Sequence, residues 1–357
     1  MSIEYVPFLK LKSNEIMALR VLERGLIEQI TPFFDYAKRK NLTEEDFVKT
    51  SKKMQTSLTK NARRLSNLYI DNFDIDTNFE IGGIHSYYYL LDLFKTFSLI
   101  PVIAIDRSQR HIDSVCLAKD NGINTSSTVA LRLTSDDFQD FALVEDEIDD
   151  LQDTFDRFDT IDLVLDCRVC LNKDPSVLAI NINSFINSFC LKYNTGRIIV
   201  TGSSIPASIR DITGVESEAN IDRVELDIFD RVTALIDGKM TVTLGDYGAV
   251  SPNYSDVDGI PGGAMRNITA PKIIYAYDNF QYVSRGGALS THPDGDGQYK
   301  NLTLTLLAKA FFRGEPYSFG DRYLGEKSRG VGSNATPSTV VKPLCNSHIS
   351  YMCKDYV

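Results

Sequence analysis

The chain has 357 residues, 43% of them hydrophobic and 24% charged, with a net charge of −10 and a pI near 5.0. That balance suits a sizeable globular core and argues against a general binder of nucleic acid or anionic membrane, which needs a basic face. No run approaches the roughly 18 apolar residues of a membrane helix, the first residues read as a strand instead of a secretory leader, and the six cysteines show no framework spacing. Reduced thiols, no membrane association and a cytoplasmic setting are therefore expected.

Eight short β-branched and aromatic runs recur along roughly the first 250 residues, each followed by room for one helix. The first, 5–10, leads to a helix over 14–24, with Ser13 as N-cap and Gly25 as its stop. The second, 30–35, precedes a helix opening at Thr43, where Asp46 three residues on approximates a capping box, and reaching about residue 65. Its 49–64 portion is the one clearly cationic stretch, read as the exposed face of an outer helix. The third run, 68–71, is followed by a polar loop and an aromatic helix over 85–97. Runs at 100–106, 129–134, 161–166 and 197–203 alternate with helices expected at 108–121, 137–155, 176–193 and 221–236, and the eighth run is 240–246.

Beyond it the pattern changes: a Gly/Pro/Ser/Asp-rich loop over 245–263, then a hairpin over 272–285 turning at Asp278 and Asn279. A Gly-rich stretch follows over 286–297, a helix over 301–312, another Gly/Ser-rich loop over 314–339, and a β-like piece at 349–352. Residues 247–357 read as an elaboration packed on the first 246, without an apolar core of its own and not an independent domain.

Near-continuous apolar strands alternating with helices predict a parallel sheet buried on both faces, and eight such units close into a (β/α)8 TIM-like barrel. Its working face is the rim formed by the C-terminal strand ends, which here carry Lys10, Asp35, Asp71, Asp106, Arg132, Asp166, Ser203 and Asp246. With Arg168, Thr201, Ser204 and Tyr247 they make the expected ligand-binding set. Gathered carboxylates can hold Mg²⁺ through oxygen, with Asp71, Asp106 and Asp246 as candidate ligands. Crowding can instead raise one pKa to make a general acid, with Asp35, Asp166 and His85 as catalytic candidates. The plainer alternative is that polar residues end strands because loops begin there, and that Arg107, Arg132 and Arg168 neutralise the acids.

Other motifs are weaker. His111 and His348 suit packing as well as chemistry. Cys167 and Cys170 have CxxC spacing but no second pair for zinc. The Thr201–Gly202–Ser203–Ser204 turn, beside residues 245–248, resembles a small anion-binding turn without the GK[ST] of a P-loop. Gly286, Gly287 and the stretch 330–334 fit loop punctuation better than mobile lids.

The opening segment resembles the bacterial and prophage "beta protein" family. Its members begin with Tyr-x-Pro and two hydrophobic residues before Lys (here Tyr5, Pro7, Lys10), then Glu-x-x-Ala-Leu (Glu15, Ala18, Leu19). Next comes Ile-Thr-Pro and two hydrophobic residues before an acid (Ile30, Thr31, Pro32, Asp35). The late His348 to Tyr351 resembles the family's closing segment, without its usual tryptophan. The resemblance implies a barrel-like protein of mobile and anti-phage gene clusters, in which the beta protein restrains a lethal companion. It carries over no catalytic residue and puts Lys10 and Asp35 first in any ligand site. Two functions stand open: a defence or toxin–antitoxin component binding a companion effector, phage protein or nucleotide ligand at the barrel rim, or a Mg²⁺-dependent phosphodiester or nucleotide hydrolase. A nucleic-acid sensor using the 49–64 helix is a third, weaker reading, and the sequence leaves the oligomeric state open.

Overall fold

The computed structural model describes residues 4–236, 238, 240–256 and 269–356. Eight parallel strands close into a barrel: β1 (Tyr5–Lys10), β2 (Phe33–Asp35), β3 (Leu68–Asp71), β4 (Leu99–Ile103), β5 (Thr128–Thr134), β6 (Thr160–Val169), β7 (Thr195–Ser203) and β8 (Val242–Asp246). Closure is made by β8 against β1, with Tyr5 opposite Leu244 and Pro7 opposite Asp246. The expected TIM-like barrel is therefore the fold.

Alternation along each strand decides what the barrel contains. Val6, Phe8, Phe33, Tyr69, Ile100, Val102, Ala130, Val164 and Ile199 point inward and pack together with Tyr247. Phe8 stacks on Phe33 with ring centroids 4.4 Å apart, and Phe33 on Tyr69 at 5.1 Å. Below this layer the Tyr69 hydroxyl donates to Asp162 at 2.5 Å, and Arg197 donates to the same hydroxyl at 3.3 Å. The interior is a filled column: a polar floor, an aromatic and aliphatic waist, and a charged top.

Outside lie α1 (Ser13–Arg20), α2 (Glu44–Asn61), α3 (Ser86–Leu93), α4 (Gln109–Asp120), the short α5 (Glu145–Asp149) and α6 (Gln152–Phe155), α7 (Pro175–Lys192) and α8 (Val224–Leu235). The Thr43 side chain caps α2 as its sequence predicts, and α2 buries Phe47, Met54 and Leu58 while Lys49, Lys52, Lys53 and Lys60 face solvent. Several boundaries differ from expectation. Lys12, not Ser13, is the N-cap of α1, and no side chain caps that end. The single helix expected over 137–155 is broken into a 3₁₀ turn, which Asp140 caps by accepting the Ala142 amide, followed by α5 and α6. The helix expected from 221 starts only at Val224, since Ser217–Asp222 forms a strand.

That strand belongs to a three-stranded antiparallel sheet with Phe280–Arg285 at its centre and Lys272–Tyr277 beyond. The last two are the expected hairpin, turning at Asp278, whose φ is +42°. Helices α9 (Gln298–Leu307), α10 (Phe319–Ser328) and α11 (Val341–Tyr351) complete the C-terminal part. Three expectations fail here. Residues 314–339 are not one loop, for Ser318 caps α10 by accepting from the Asp321 amide. The β-like piece at 349–352 lies in α11 and its π-helical continuation: Val340, Leu344, His348 and Met352 recur every four residues, which suits a helix. Nor is the segment without an apolar core. Ile273, Ile274, Tyr282, Val283, Tyr299, Leu306, Leu324, Val340 and Leu344 form a second buried cluster, joined by Ile205 from the loop after β7. Residues 257–263 of the loop expected over 245–263 lie outside the described residues.

Candidate functional site at the barrel mouth

Five of the eight expected rim residues meet inside the barrel mouth. Arg132 of β5 stands at the centre: its Nη1 donates to Asp35 at 2.6 Å and Asp71 at 2.8 Å, and its Nη2 to Asp166 at 2.7 Å and to the Tyr247 hydroxyl at 2.7 Å. The Tyr247 hydroxyl in turn donates to Asp166 at 2.6 Å. Lys10 reaches Asp35 at 3.4 Å, Asp74 at 3.1 Å and the Pro252 carbonyl at 2.9 Å. Arg107 lies 3.3 Å from Asp71. Arg168 approaches Asp35 and Asp74, each at 3.9 Å, and donates to Pro252 O at 3.2 Å and Asn253 at 3.0 Å.

The backbone at Arg168 explains its reach. Register slips between β6 and β7 after Asp166, and Arg168 takes a left-handed φ of +52° while its amide donates to the Asp166 carboxylate at 2.8 Å. This bulge turns the guanidinium over the mouth. Phe73, in the loop after β3, then covers the guanidinium groups: its ring centroid is 4.4 Å from Arg168, 4.6 Å from Arg132 and 5.0 Å from Arg107.

The electrostatics are balanced. Four carboxylates (Asp35, Asp71, Asp74, Asp166) face four cations (Lys10, Arg107, Arg132, Arg168). Burial alone raises a carboxyl pKa, but Arg132 above all, then Lys10 and Arg168, hold Asp35 well below the usual carboxylate range. Burial foremost, aided by Asp166 and Asp35, pushes the Tyr247 phenol well up against the opposing pull of Arg132.

Three expected rim residues are elsewhere. Asp106 follows the end of β4, its side chain 55% exposed and 3.5 Å from Arg107. Ser203 accepts the Ile205 amide at 3.0 Å, closing its own turn. Asp246 points outward, into the helix layer, where it meets Arg223, the Tyr5 hydroxyl at 2.5 Å and His348 Nε2 at 2.8 Å; His348, foremost of these against the upward push of burial, with Arg223 and Tyr5, holds its carboxyl low. Its neighbour Tyr247 takes the inward place instead.

The remaining candidates separate likewise. The Ser204 hydroxyl donates to Glu225 at 2.6 Å and accepts the Val224 amide, so the 201–204 turn has no free hydroxyl pair for an anion; only Thr201 Oγ1 is buried without a partner. His85 caps α3 and contacts the Thr77 carbonyl at 2.9 Å. His111 stacks on Tyr87 at 4.2 Å behind the barrel wall. Burial pushes the Cys167 thiol up to about 12 and Cys170 well above its ordinary value, the opposite of a reactive pair; all six cysteines are free. Asp71, Asp106 and Asp246 occupy three different settings, and no group of three or more metal-ligating side chains exists among the described residues. The mouth carboxylates are already bonded to guanidinium and ammonium groups, so this donor set does not fit Mg²⁺.

A family model described as "Beta protein" matches residues 5–354. The chain belongs to the beta protein family. No curated protein matches it. Among solved structures it is similar to the apo form of 3-keto-D-glucoside 4-epimerase from E. coli, at 10% identity and a TM-score of 0.34, over 71% of this chain and 94% of that one. No described helix is long and apolar enough to cross a membrane.

Sequence reasoning missed Phe73 and Asp74, although an aromatic residue inside the polar stretch after β3 is a legible anomaly. In this beta protein they complete the mouth. What the arrangement does chemically is orient and neutralise: it sets each carboxylate of the mouth against a guanidinium or ammonium group.

Proposed function

We propose that this beta protein is the binding, non-catalytic member of an anti-phage or toxin–antitoxin-like pair. Family membership supports that setting, and the observation that carries the non-catalytic reading is the internally balanced mouth. A hydrolase needs an unpaired acid, base or metal-ready cluster, and here Asp35, Asp71 and Asp166 are all bonded to Arg132. Asp106 alone among the expected acids stands in solvent, and one exposed carboxylate makes no acid–base pair.

A surface for a companion lies on α7, which starts at the C-terminal rim of the barrel. From Pro175 to Leu191 this helix carries no charged residue. Its solvent face presents Val177, Ile180, Ser184, Asn187 and Leu191, the three-then-four spacing of a helix-pairing seam, with exposed Leu143 nearby. Acids flank it: Glu145 and Asp149 beside Lys192, and Asp227 and Asp230 on α8. A second copy would bring like charge to like, whereas an amphipathic helix with basic flanks is complementary. Co-expression with the protein encoded beside it is the test. Co-elution of the two under native conditions, abolished by Ile180→Glu with Leu191→Glu, is the expected result. Failure of the wild-type pair to co-elute, or Mg²⁺-dependent phosphodiester hydrolysis by the purified chain, would overturn the reading.

A further inference from the structure

Four cationic side chains are buried in the described structure: Lys10, Arg132, Arg223 and Arg285. The first three each contact carboxylates. Arg285, 7% exposed, contacts none among the described residues; its Nη1 donates to the Thr213 carbonyl at 3.1 Å. Burying a guanidinium without an anion is costly.

The setting deepens the imbalance. Arg285 ends the central strand of the C-terminal sheet, and the residue directly opposite on the neighbouring strand is Lys272. Opposed residues of an antiparallel pair project from the same face, and the residue opposite Arg285 on the other neighbouring strand is Ser217, so neither strand sets an acid across from it. Lys272 likewise has no carboxylate partner among the described residues, and burial alone lowers its amine pKa. Arg285 opens on a hollow of about 360 Å³ that is also lined by exposed Arg210 and by Thr213 and Gly214. On its other side it borders a second hollow of about 400 Å³, lined by Glu216, Ser217, Gln298 and Asn301 among others. Both volumes lie in the range of small-molecule sites.

We propose that this corner of the C-terminal sheet binds a phosphate-bearing small molecule, with Arg285 and Arg210 around the phosphate and the Glu216–Asn301 side receiving hydroxyl or amine groups. Two guanidinium groups suit a dianion better than a single carboxylate, and the guanidinium fork of Arg285 matches two phosphate oxygens. The bound dianion supplies the counter-charge that buried Arg285 lacks among the described residues, so it stabilises the fold as well as occupying the hollow. The site is separate from the barrel mouth and from α7, and the companion-binding reading stands or falls without it.

The test is calorimetric titration of the full chain with inorganic phosphate, using acetate as the monoanion comparison, backed by thermal unfolding in both. Saturable phosphate binding with a raised Tm, absent with acetate, is expected. Arg285→Gln should weaken it at least about tenfold, and exposed Arg210→Gln, which leaves the buried packing untouched, by several-fold. If Arg285→Gln does not fold, Arg210→Gln decides. No phosphate binding by the wild-type chain, or equal binding by all folded variants, overturns the assignment.

Discussion

At the scale of the residue, Arg132 is the side chain on which the mouth depends. It alone touches Asp35, Asp71 and Asp166 together. Removing one partner from a buried ionic network leaves charge uncompensated, at a cost of about 3–5 kcal/mol. Arg132→Met is therefore expected to lose that much stability in urea unfolding, and a loss below about 1 kcal/mol would show that the acids find water or other partners. Arg132→Lys keeps the charge without the fork and should fall between the two. Most of the mouth was legible in the sequence, because strand ends converge wherever eight parallel strands close. Asp246 was misassigned for a physical reason: a strand buried on both sides has no apolar–polar alternation, so nothing marks which parity faces the axis. Its neighbour Tyr247 reads equally well as core.

At the scale of the element, the C-terminal helices are held by close approach and by a few polar ties. A Cβ at Gly320 of α10 would collide with the Pro343 carbonyl and meet the Ser347 amide at 2.8 Å, so α10 and α11 pack backbone against backbone there. Asn346 fastens the crossing: it accepts the Gly320 amide at 2.9 Å and donates to the Ala18 carbonyl of α1 at 3.3 Å. Gly320→Ala forces these helices apart, and overpacking of this kind costs about 1–3 kcal/mol. A correspondingly lower Tm, with the barrel's far-UV signal intact below the transition, is the expected outcome. These elements were the least legible part of the chain, since α10 sits among glycines and serines, and only Ser318 with Asp321 marks its start.

At the scale of the whole molecule, acid weakens the fold in two stages. Burial, with Arg107 and His85 adding to it, lowers the His111 pKa well below its usual value, so His111 stays neutral where the unfolded chain takes up a proton at about pH 6.5. Stability consequently falls as pH drops below that value. Asp35 and Asp246 have depressed folded pKa values, so their contribution is present above the unfolded value of about 3.9 and is lost as pH falls below it. Urea midpoints at pH 7.5, 5.5 and 3.5 check both stages; His111→Gln should flatten the first step and spare the second, and an unchanged first step would assign it to another group.

The matched charges beneath Phe73 also bear on how such a barrel changes over generations. A lone exchange at any of the eight positions leaves an ion stranded in a dry interior, whereas loss of an acid together with its base keeps neutrality. Relatives should therefore differ there by whole couples, Lys10 with Asp74 or Arg107 with Asp71, and single swaps should be confined to the solvent-facing helices.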